Sequence, residues 1–362
     1  MEEKYLKIFG VIFICLLVIC IVTKPRNKSV NIDELVQNIV IGVSKEDIKK
    51  IEVYKQTSEE NPARMVFVKD NDQWHIRSYY NCKARNSTME DLIDDVLEMT
   101  GKVRSSDPKH FDQYKISDVD GIHLLLKDEA DKTLVNLIIG KRAEEYNSGF
   151  VRFADKDKVY FTDKNLLSSL KIYGDIDTLT VFKQKSFADL NAVDEDKDKL
   201  ENIALIAGSK KLILKKIEKQ IKVASSDSTK KDSTETKKVK EWVLLKGKNR
   251  EIQLDQKEVE KFLQDVTNIY AQEVVDRIGQ SLSDIGKEKR YGFDRPTHYI
   301  VLKEPDKRQK NIIFGKQYEK DKGYYLFVQY DRLVYKVSKY NYDKIFKWID
   351  ELPKKKKKAK TK

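Results

Sequence analysis

The chain has 362 residues and a net charge of +12, with 40% hydrophobic and 36% charged residues. A chain of this length has room for two or three average domains, which excludes a single small module. Its 18 tyrosines and 14 phenylalanines argue against a wholly disordered protein. Seven lysines fall within the last ten residues, so the basic character comes mainly from the tail.

The first predicted element is an uncharged, apolar run from Ile8 to Thr23, flanked by Lys7 and Lys24. As an α-helix it would be roughly 24 Å long, slightly short of the roughly 30 Å hydrocarbon core of a bilayer, and both lysines could snorkel. No small-residue cleavage site follows the run, which disfavours a cleaved signal peptide. The sequence therefore predicts a membrane anchor within residues 1–28, with the anchor residues Ile8, Phe13, Leu17 and Val22.

The rest of the chain has the pattern of one unit present twice, because residues 48–173 and 202–349 contain the same order of elements. Each copy begins with three strand-like segments, at 51–54, 65–68 and 74–77 in the first copy and at 203–206, 212–214 and 242–245 in the second. Trp74 and Trp242 stand at the start of the third segment. We predict that both are core anchors, with a ligand-stacking platform as the alternative.

A helix follows the strands in each copy. Its buried face is predicted by apolar residues at i, i+3, i+4 and i+7 spacing, namely Met89, Leu92, Ile93 and Val96 in the first copy and Val259, Phe262, Leu263 and Val266 in the second. Ser87 and Asp255 are the predicted N-terminal caps, because each has a glutamate three residues later.

The closest correspondence between the copies lies after these helices. The turn Tyr-Lys-Ile at 114–116 parallels Tyr-Gly-Phe at 291–293. The strand Leu-Ile-Ile-Gly-Lys at 137–141 parallels Ile-Ile-Phe-Gly-Lys at 312–316. A short amphipathic helix is predicted to close each copy.

Tyr160 and Tyr335 stand twenty residues after Gly140 and Gly315, and we interpret all four as structural anchors of the repeated unit. Each glycine is predicted to end its strand and to take a positive φ. No strand–helix–strand alternation runs along the chain. The predicted fold class is therefore α+β: an N-terminal transmembrane helix followed by two tandem units of meander, helix, antiparallel strands and helix.

The predicted domain boundaries follow from these elements. They are a membrane anchor at 1–28, a first repeat at 29–180, a solvated linker at 181–201, a second repeat at 202–352 and a polybasic tail at 353–362. Within the second repeat, residues 224–240 are polar and lack aromatic side chains, which predicts a disordered insertion.

This arrangement of an anchor, a tryptophan strand, a Tyr-x-Ile/Phe turn, a Gly-Lys strand and a Val-Tyr strand resembles the bacterial domain of unknown function 4340 family. The stretch 291–296 is similar to that family's Tyr-Gly-Leu-Asp-x-Pro turn, from which the first copy departs with Lys115 in place of Gly292. The resemblance implies a membrane-anchored protein that is often encoded beside gliding-motility or ABC-2 type transporter subunits. It also implies an extracytoplasmic accessory role without an established catalytic residue.

The sequence offers only weak candidates for chemistry. Neither Gly-Lys pair has the earlier glycine and the following serine or threonine of a phosphate-binding loop. His123 and His298 fall one step apart on corresponding strands, so they should face opposite sides. The stretch 118–121 is more typical of a turn than of a calcium loop, and Cys82 has no second thiol at metal-ligand spacing. We predict no catalytic residue, cofactor or metal ligand.

The tail could attract anionic lipid or an envelope polymer, with a purely solubilising role as the alternative. Its polybasic residues are Lys354, Lys355, Lys356, Lys357 and Lys358. A nucleic-acid partner is disfavoured because the chain has no recognisable nucleic-acid-binding fold.

These features predict a single-pass protein of the bacterial cytoplasmic membrane. The basic residues on the two sides of the anchor do not decide its orientation, and the resemblance implies that the duplicated part lies outside the cytoplasm. Its expected function is a non-catalytic interaction domain, accessory to a cell-envelope or ABC-transporter-associated complex. Two alternatives remain, a membrane-tethered enzyme acting on an envelope polymer and a structural spacer. Clustered carboxyl groups with perturbed pKa values between the copies would favour the enzyme, whereas a flat tyrosine-rich or apolar patch would favour binding.

Overall fold

The computed structural model describes residues 36–56, 63–224, 234–247, 250–279, 281–305 and 309–355, together with residues 16 and 307. Antiparallel strands dominate: they make up 43% of the chain and form two large sheets and a two-stranded one. The predicted α+β class is therefore wrong, and the fold is mostly antiparallel β. In each half the meander and the later strands join one sheet, which outweighs the short helices between them.

Sheet 1 is formed by the first half of the chain. Its strands are β1 (Gln37–Asn38), β2 (Lys50–Lys55), β3 (Ala63–Asp70), β4 (Gln73–Ile76), β5 (Cys82–Lys83), β6 (Thr100–Ser105), β7 (Ile122–Lys127), β8 (Thr133–Arg142), β9 (Gly149–Phe153) and β10 (Val159–Thr162). Their spatial order is β5-β4-β3-β2-β7-β8-β9-β10-β6-β1, and every neighbouring pair is antiparallel.

Sheet 2 is formed by the second half. Its strands are β12 (Asn202–Ala207), β13 (Lys210–Ala224), β14 (Thr234–Lys246), β15 (Arg250–Gln253), β17 (Glu273–Arg277), β18 (His298–Lys303), β19 (Lys310–Glu319), β20 (Gly323–Val328) and β21 (Leu333–Ser338). Their order is β15-β14-β13-β12-β18-β19-β20-β21-β17. The small sheet pairs β11 (Asn191–Asp194) with β16 (Asn268–Tyr270).

The two large sheets have the same strand order. When both are followed from the β5 and β15 edges, each strand of sheet 2 has a counterpart in sheet 1, and only β1 is additional. The register also agrees, because Leu137 pairs with Phe153 in sheet 1 and Ile312 pairs with Val328 in sheet 2. Residues of β8–β10 can therefore be equated with residues of β19–β21, while the exact domain boundaries stay a prediction.

Short helices pack on the sheets. They are α1 (Asn86–Leu97), α2 (Phe111–Tyr114), α3 (Leu166–Ser169), α4 (Gln256–Thr267), α5 (Leu282–Ile285), α6 (Lys339–Phe346) and α7 (Trp348–Glu351). The apolar face predicted for each long helix is buried in α1 and in α4. Both faces belong to one large hydrophobic core that contains residues from both halves of the chain. Each fully buried aliphatic or aromatic side chain in such a core contributes about 1.5–3 kcal/mol.

The prediction of a single-pass protein of the cytoplasmic membrane is contradicted by the helices that the structure contains. In the described part of the chain no helix is long and apolar enough to cross a membrane. The longest, α1 and α4, have 12 residues each and would extend over roughly 18 Å, well below a bilayer core. The predicted anchor residues Ile8, Phe13, Leu17 and Val22 lie outside the described residues.

Two further segments differ from expectation. Residues 181–201, predicted to be a solvated linker, are part of the packed body: Phe187 and Val193 are fully buried, and β11 is a sheet strand. Their apolar residues are too irregularly spaced to signal a strand in the sequence. Strand β14 begins at Thr234, so residues 234–240 are ordered within the predicted disordered insertion 224–240. Residues 225–233 lie outside the described residues.

Candidate functional site

The two repeated tryptophans are core residues. Trp74 and Trp242 are 1% and 5% exposed, which leaves no open ring face for a ligand to stack on. The backbone N–H of Trp74 donates to Asn86 Oδ1 at 3.0 Å, and that of Trp242 donates to Gln256 Oε1 at 2.9 Å. Asn86 and Gln256 are the first residues of α1 and α4, so each tryptophan strand is fixed to the start of its helix.

The two Gly-Lys strands need glycine for close approach rather than for an unusual φ. A Cβ on Gly140 would lie 2.3 Å from Tyr114 O, and one on Gly315 would lie 2.1 Å from Tyr291 O. Neither glycine has a positive φ, in contrast to the prediction. Each glycine therefore lets the Tyr-x-Ile/Phe turn sit directly on its strand.

The turn itself has the same geometry in both halves despite the sequence difference. Lys115 has a φ of 55° and Gly292 a φ of 78°, so both occupy the left-handed region. Lysine is strained there by roughly 1–2 kcal/mol because of its Cβ. The surrounding packing, including the close approach to Gly140, holds Lys115 in this conformation.

The histidines and the acidic stretch 118–121 are also built into the fold. The His123 ring stacks on Tyr54 with centroids 4.4 Å apart, and its Nε2 is 2.8 Å from Asp118 O. His298 packs edge-on against Phe346 at 4.9 Å. Arg152 donates to Asp118, which gives that carboxylate a structural partner. Within the described ranges, no group of three His, Cys, Asp or Glu side chains could hold a metal ion.

The two halves meet at a tight turn that we call the joint, formed by residues 79–82 against strand β17. Tyr80 and Asn81 both have positive φ, at 55° and 49°, and the turn closes with a bond from Cys82 N–H to Tyr79 O at 3.1 Å. The Tyr79 hydroxyl donates to the carbonyl of Val274 at 2.6 Å. Arg277 Nη1 donates to Tyr80 O at 3.1 Å. Contacts from sheet 2 thus hold a strained turn of sheet 1 in place.

Titratable groups gather beside the joint. Burial raises the pKa of Asp331 to about 6, although the Leu333 N–H and the Tyr335 hydroxyl both donate to its carboxylate. Burial also raises the pKa of the Cys82 thiol to about 12. A thiol of this kind stays protonated at neutral pH and is a poor nucleophile. Tyr335 and its counterpart Tyr160 are both buried. Tyr335 of sheet 2 lies close enough to Cys82 of sheet 1 for their charges to interact, so these two groups belong to the contact between the halves.

The most prominent surface feature is a two-stranded arm, the ribbon, formed by residues 216–224 and 234–242. Strand β12 pairs with β13 only up to Lys215, and β15 pairs with β14 only from Val243 onward. Beyond these points β13 and β14 pair with each other alone over nine residue pairs. At roughly 3.3 Å per residue the ribbon is close to 30 Å long, and both of its edges have unpaired backbone groups among the described residues.

The ribbon is basic, with six lysines and three glutamates in its sequence. Lys238 forms an ion pair with Glu218 at 2.7 Å. Lys219 lies 3.2 Å from Glu241. Lys240 is exposed and has no ion-pair partner in the part of the chain that the structure describes. At the base, Lys216 donates to Asp198 O at 2.8 Å, and burial lowers its pKa.

The predicted polybasic tail begins on the body of sheet 2. Lys354 and Lys355 are described, whereas Lys356, Lys357 and Lys358 lie outside the described residues. The Lys355 carbonyl accepts from the Asp255 N–H at 2.8 Å, which places the start of the tail at the N-terminus of α4.

A repeated antiparallel β body with a packed joint and a projecting basic ribbon defines the class of protein. The family model described as "Domain of unknown function (DUF4340)" matches residues 74–274 and 242–357, so the chain belongs to that family, as the resemblance predicted. The two matches begin at the equivalent residues Trp74 and Trp242. No curated protein and no solved structure matches the chain.

Proposed function

We propose that this chain is a non-catalytic interaction module, accessory to a cell-envelope or ABC-transporter-associated protein complex, in which the ribbon binds an acidic segment of a partner subunit. The class of complex is the one that the family resemblance implies. The observation that carries the proposal is the ribbon, whose two backbone edges pair with no further strand in the described structure beyond its base at Lys216 and Trp242. Exposed edges of this kind bind extended segments by adding a strand.

The charge of the ribbon indicates the kind of partner. Lysines along an edge repel a second copy of the same edge and so oppose self-aggregation. The same lysines attract a segment of opposite charge and speed its association. An acidic extended segment of another protein therefore fits the ribbon better than another copy of this chain does.

The joint supports binding rather than turnover. The thiol at the joint has a raised pKa, and Asp331 accepts two hydrogen bonds from its own hairpin. Both groups are therefore part of the packed interior. Hydrogen bonds connect the strained turn of sheet 1 to the edge of sheet 2. A body fixed in this way presents its surfaces in a constant arrangement, which lowers the entropic cost of binding.

The test replaces Lys238 and Lys240 by glutamate and follows the size of the native assembly by size-exclusion chromatography of extracts from the protein's own cells. We expect the wild-type chain to elute well above its own 42.4 kDa and the ribbon variant to elute as the free chain. The matched control replaces the exposed Lys132 and Lys257 by glutamate and should remain in the assembly. A wild-type chain that elutes alone, or a ribbon variant that stays assembled, would contradict the proposal.

A further inference from the structure

Sheet 1 has a groove of about 390 Å³ on the face opposite the main core. Its floor is the half-buried ring of Phe161 together with the edges of Tyr114 and Phe150, which are themselves buried. The rings of Tyr114 and Phe150 are 4.6 Å apart, and those of Phe150 and Phe161 are 5.8 Å apart. Phe150 lies on the opposite side of its strand from Val151, which belongs to the main core. The groove is therefore a separate, aromatic-floored site.

Four cationic side chains surround this floor, namely Lys102, Arg104, Lys141 and Arg142. The first three are exposed and have no ion-pair partner among the described residues, although lysines elsewhere on the body are commonly paired. Arg142 donates a hydrogen bond from its guanidinium to a backbone carbonyl. The Nε of Arg142 is nevertheless buried with no hydrogen-bond partner in the described structure. Two glutamates, at 144 and 145, also line the groove, so the cations exceed the acids by two.

The equivalent place on sheet 2 is filled, and an ion pair stands where sheet 1 has Lys102, which is unpaired among the described residues. Three neighbouring residues that cross sheet 1 have equivalents in sheet 2. Phe150 corresponds to Tyr325, Phe161 to Lys336, and Lys102 to Glu273. Lys336 and Glu273 form an ion pair at 3.0 Å.

A tyrosine occupies the remaining space on sheet 2. Ala143 of sheet 1 corresponds to Tyr318, whose ring packs 5.9 Å from Tyr325. Its hydroxyl donates to Gln272 at 2.6 Å. The same fold therefore occurs twice in one chain, once with this face closed and once with it open and positively charged.

We propose that the groove of sheet 1 binds an anionic saccharide, a sugar ring with carboxylate or phosphate groups. The sugar ring lies over Phe161, the one floor ring that is not buried, and the anionic groups bind Lys102, Arg104 and Lys141. A groove of this size is within the range of small-molecule sites, which combine apolar walls with a few placed charges. Arginine and lysine side chains are the usual partners of carboxylate and phosphate oxygens.

The test is isothermal titration calorimetry of the full chain with four probes: trigalacturonate, its neutral methyl ester, glucose 6-phosphate and glucose. At least one anionic probe should bind, with an affinity that falls as salt is added, and its neutral counterpart should not. If trigalacturonate binds more tightly than glucose 6-phosphate, the ligand is carboxylated. The opposite order of affinities indicates a phosphorylated ligand. Failure of both anionic probes, or equal binding of the neutral ones, would overturn the proposal.

The matched variants transplant residues from sheet 2. Lys102→Glu with Ala143→Tyr should weaken binding by at least about tenfold, while the melting temperature stays close to that of the wild type. Lys141→Gln alone removes one exposed charge with little risk to folding and should also weaken binding. Lys257→Glu, on the exposed side of α4, serves as the control and should bind as the wild type does. Unchanged affinity in both groove variants would overturn the proposal.

Discussion

Asp331 is a carboxyl group whose pKa is raised by its surroundings in the folded protein. It lies in the hairpin between β20 and β21, beside the joint, and burial raises its pKa to about 6. In the unfolded chain an aspartate has a pKa near 3.8. The folded protein therefore holds this proton more tightly, so the stability contributed by Asp331 is present at low pH and is lost as the pH rises through about 6.

Replacing Asp331 by asparagine should remove this pH dependence. The asparagine side chain keeps an oxygen for the Leu333 N–H but carries no charge, so we expect the variant to be more stable than the wild type by about 1–2 kcal/mol at pH 7. The difference should shrink towards pH 4, where the wild-type carboxyl is protonated. Urea unfolding of both proteins between pH 4 and 8 measures it. Asp112→Asn, at an exposed position, is the control, and a stability difference that is constant across this range would contradict the prediction.

At the scale of elements, the contact between the Gly-Lys strand and the Tyr-x-Ile/Phe turn is the unit that both halves share. In sheet 2 it is reinforced by a bond from Lys316 N–H to Tyr291 O at 2.8 Å. Gly140 and Gly315 are needed because the turn carbonyl occupies the space that a Cβ would take. The same close contact occurs in two distant segments of the chain, which explains why the sequences of the two motifs are so similar.

Alanine at either glycine should therefore be costly. Gly140→Ala and Gly315→Ala each force the strand and the turn apart, and we expect each to lower the free energy of unfolding by about 2–3 kcal/mol. Gly174→Ala is the matched control, because nothing lies within 4 Å of the position of its Cβ. Denaturant unfolding checks all three. Destabilisation by Gly174→Ala that equals the other two would show that the close approach is not the cause.

Local features were predictable from the sequence to different degrees. The buried faces of α1 and α4 follow from helical periodicity, and Asp255 caps α4 as predicted, accepting from Lys257 N–H at 2.9 Å. Ser87 does not cap α1, because the helix begins two residues earlier than a cap at Ser87 would require, with Arg85 at the cap position and Asn86 as its first residue. The Asn86 side chain is bonded to the Trp74 strand. A cap pattern in the sequence cannot reveal that competing bond.

The joint and the groove could not be predicted because they depend on strand register over long distances. The groove brings Lys102 beside Phe161, and the joint brings Tyr79 to Val274. A single sequence contains no signal for such pairs, since hydrophobic periodicity reports only which face of each strand is buried. The ribbon was missed for a related reason: its polar composition resembles that of a disordered loop.

At the scale of the whole molecule, the two sheets share one strand order but have diverged in their surfaces. Sheet 1 has the open cationic groove, and sheet 2 has the projecting ribbon. One core with residues from both halves and the strained turn at the joint hold them together. The duplicated halves therefore form a single body with two different surfaces, rather than two independent domains on a linker.

Differential scanning calorimetry of the full chain shows whether the two sheets unfold together. If the sheets form one body, heating should give a single transition with a calorimetric enthalpy about equal to the van't Hoff enthalpy. Replacing Tyr79 by phenylalanine and Arg277 by alanine removes the hydrogen bonds that these two side chains make across the joint, and this variant should melt at a lower temperature, with a broader or divided transition. Two separate transitions in the wild-type protein would contradict the account.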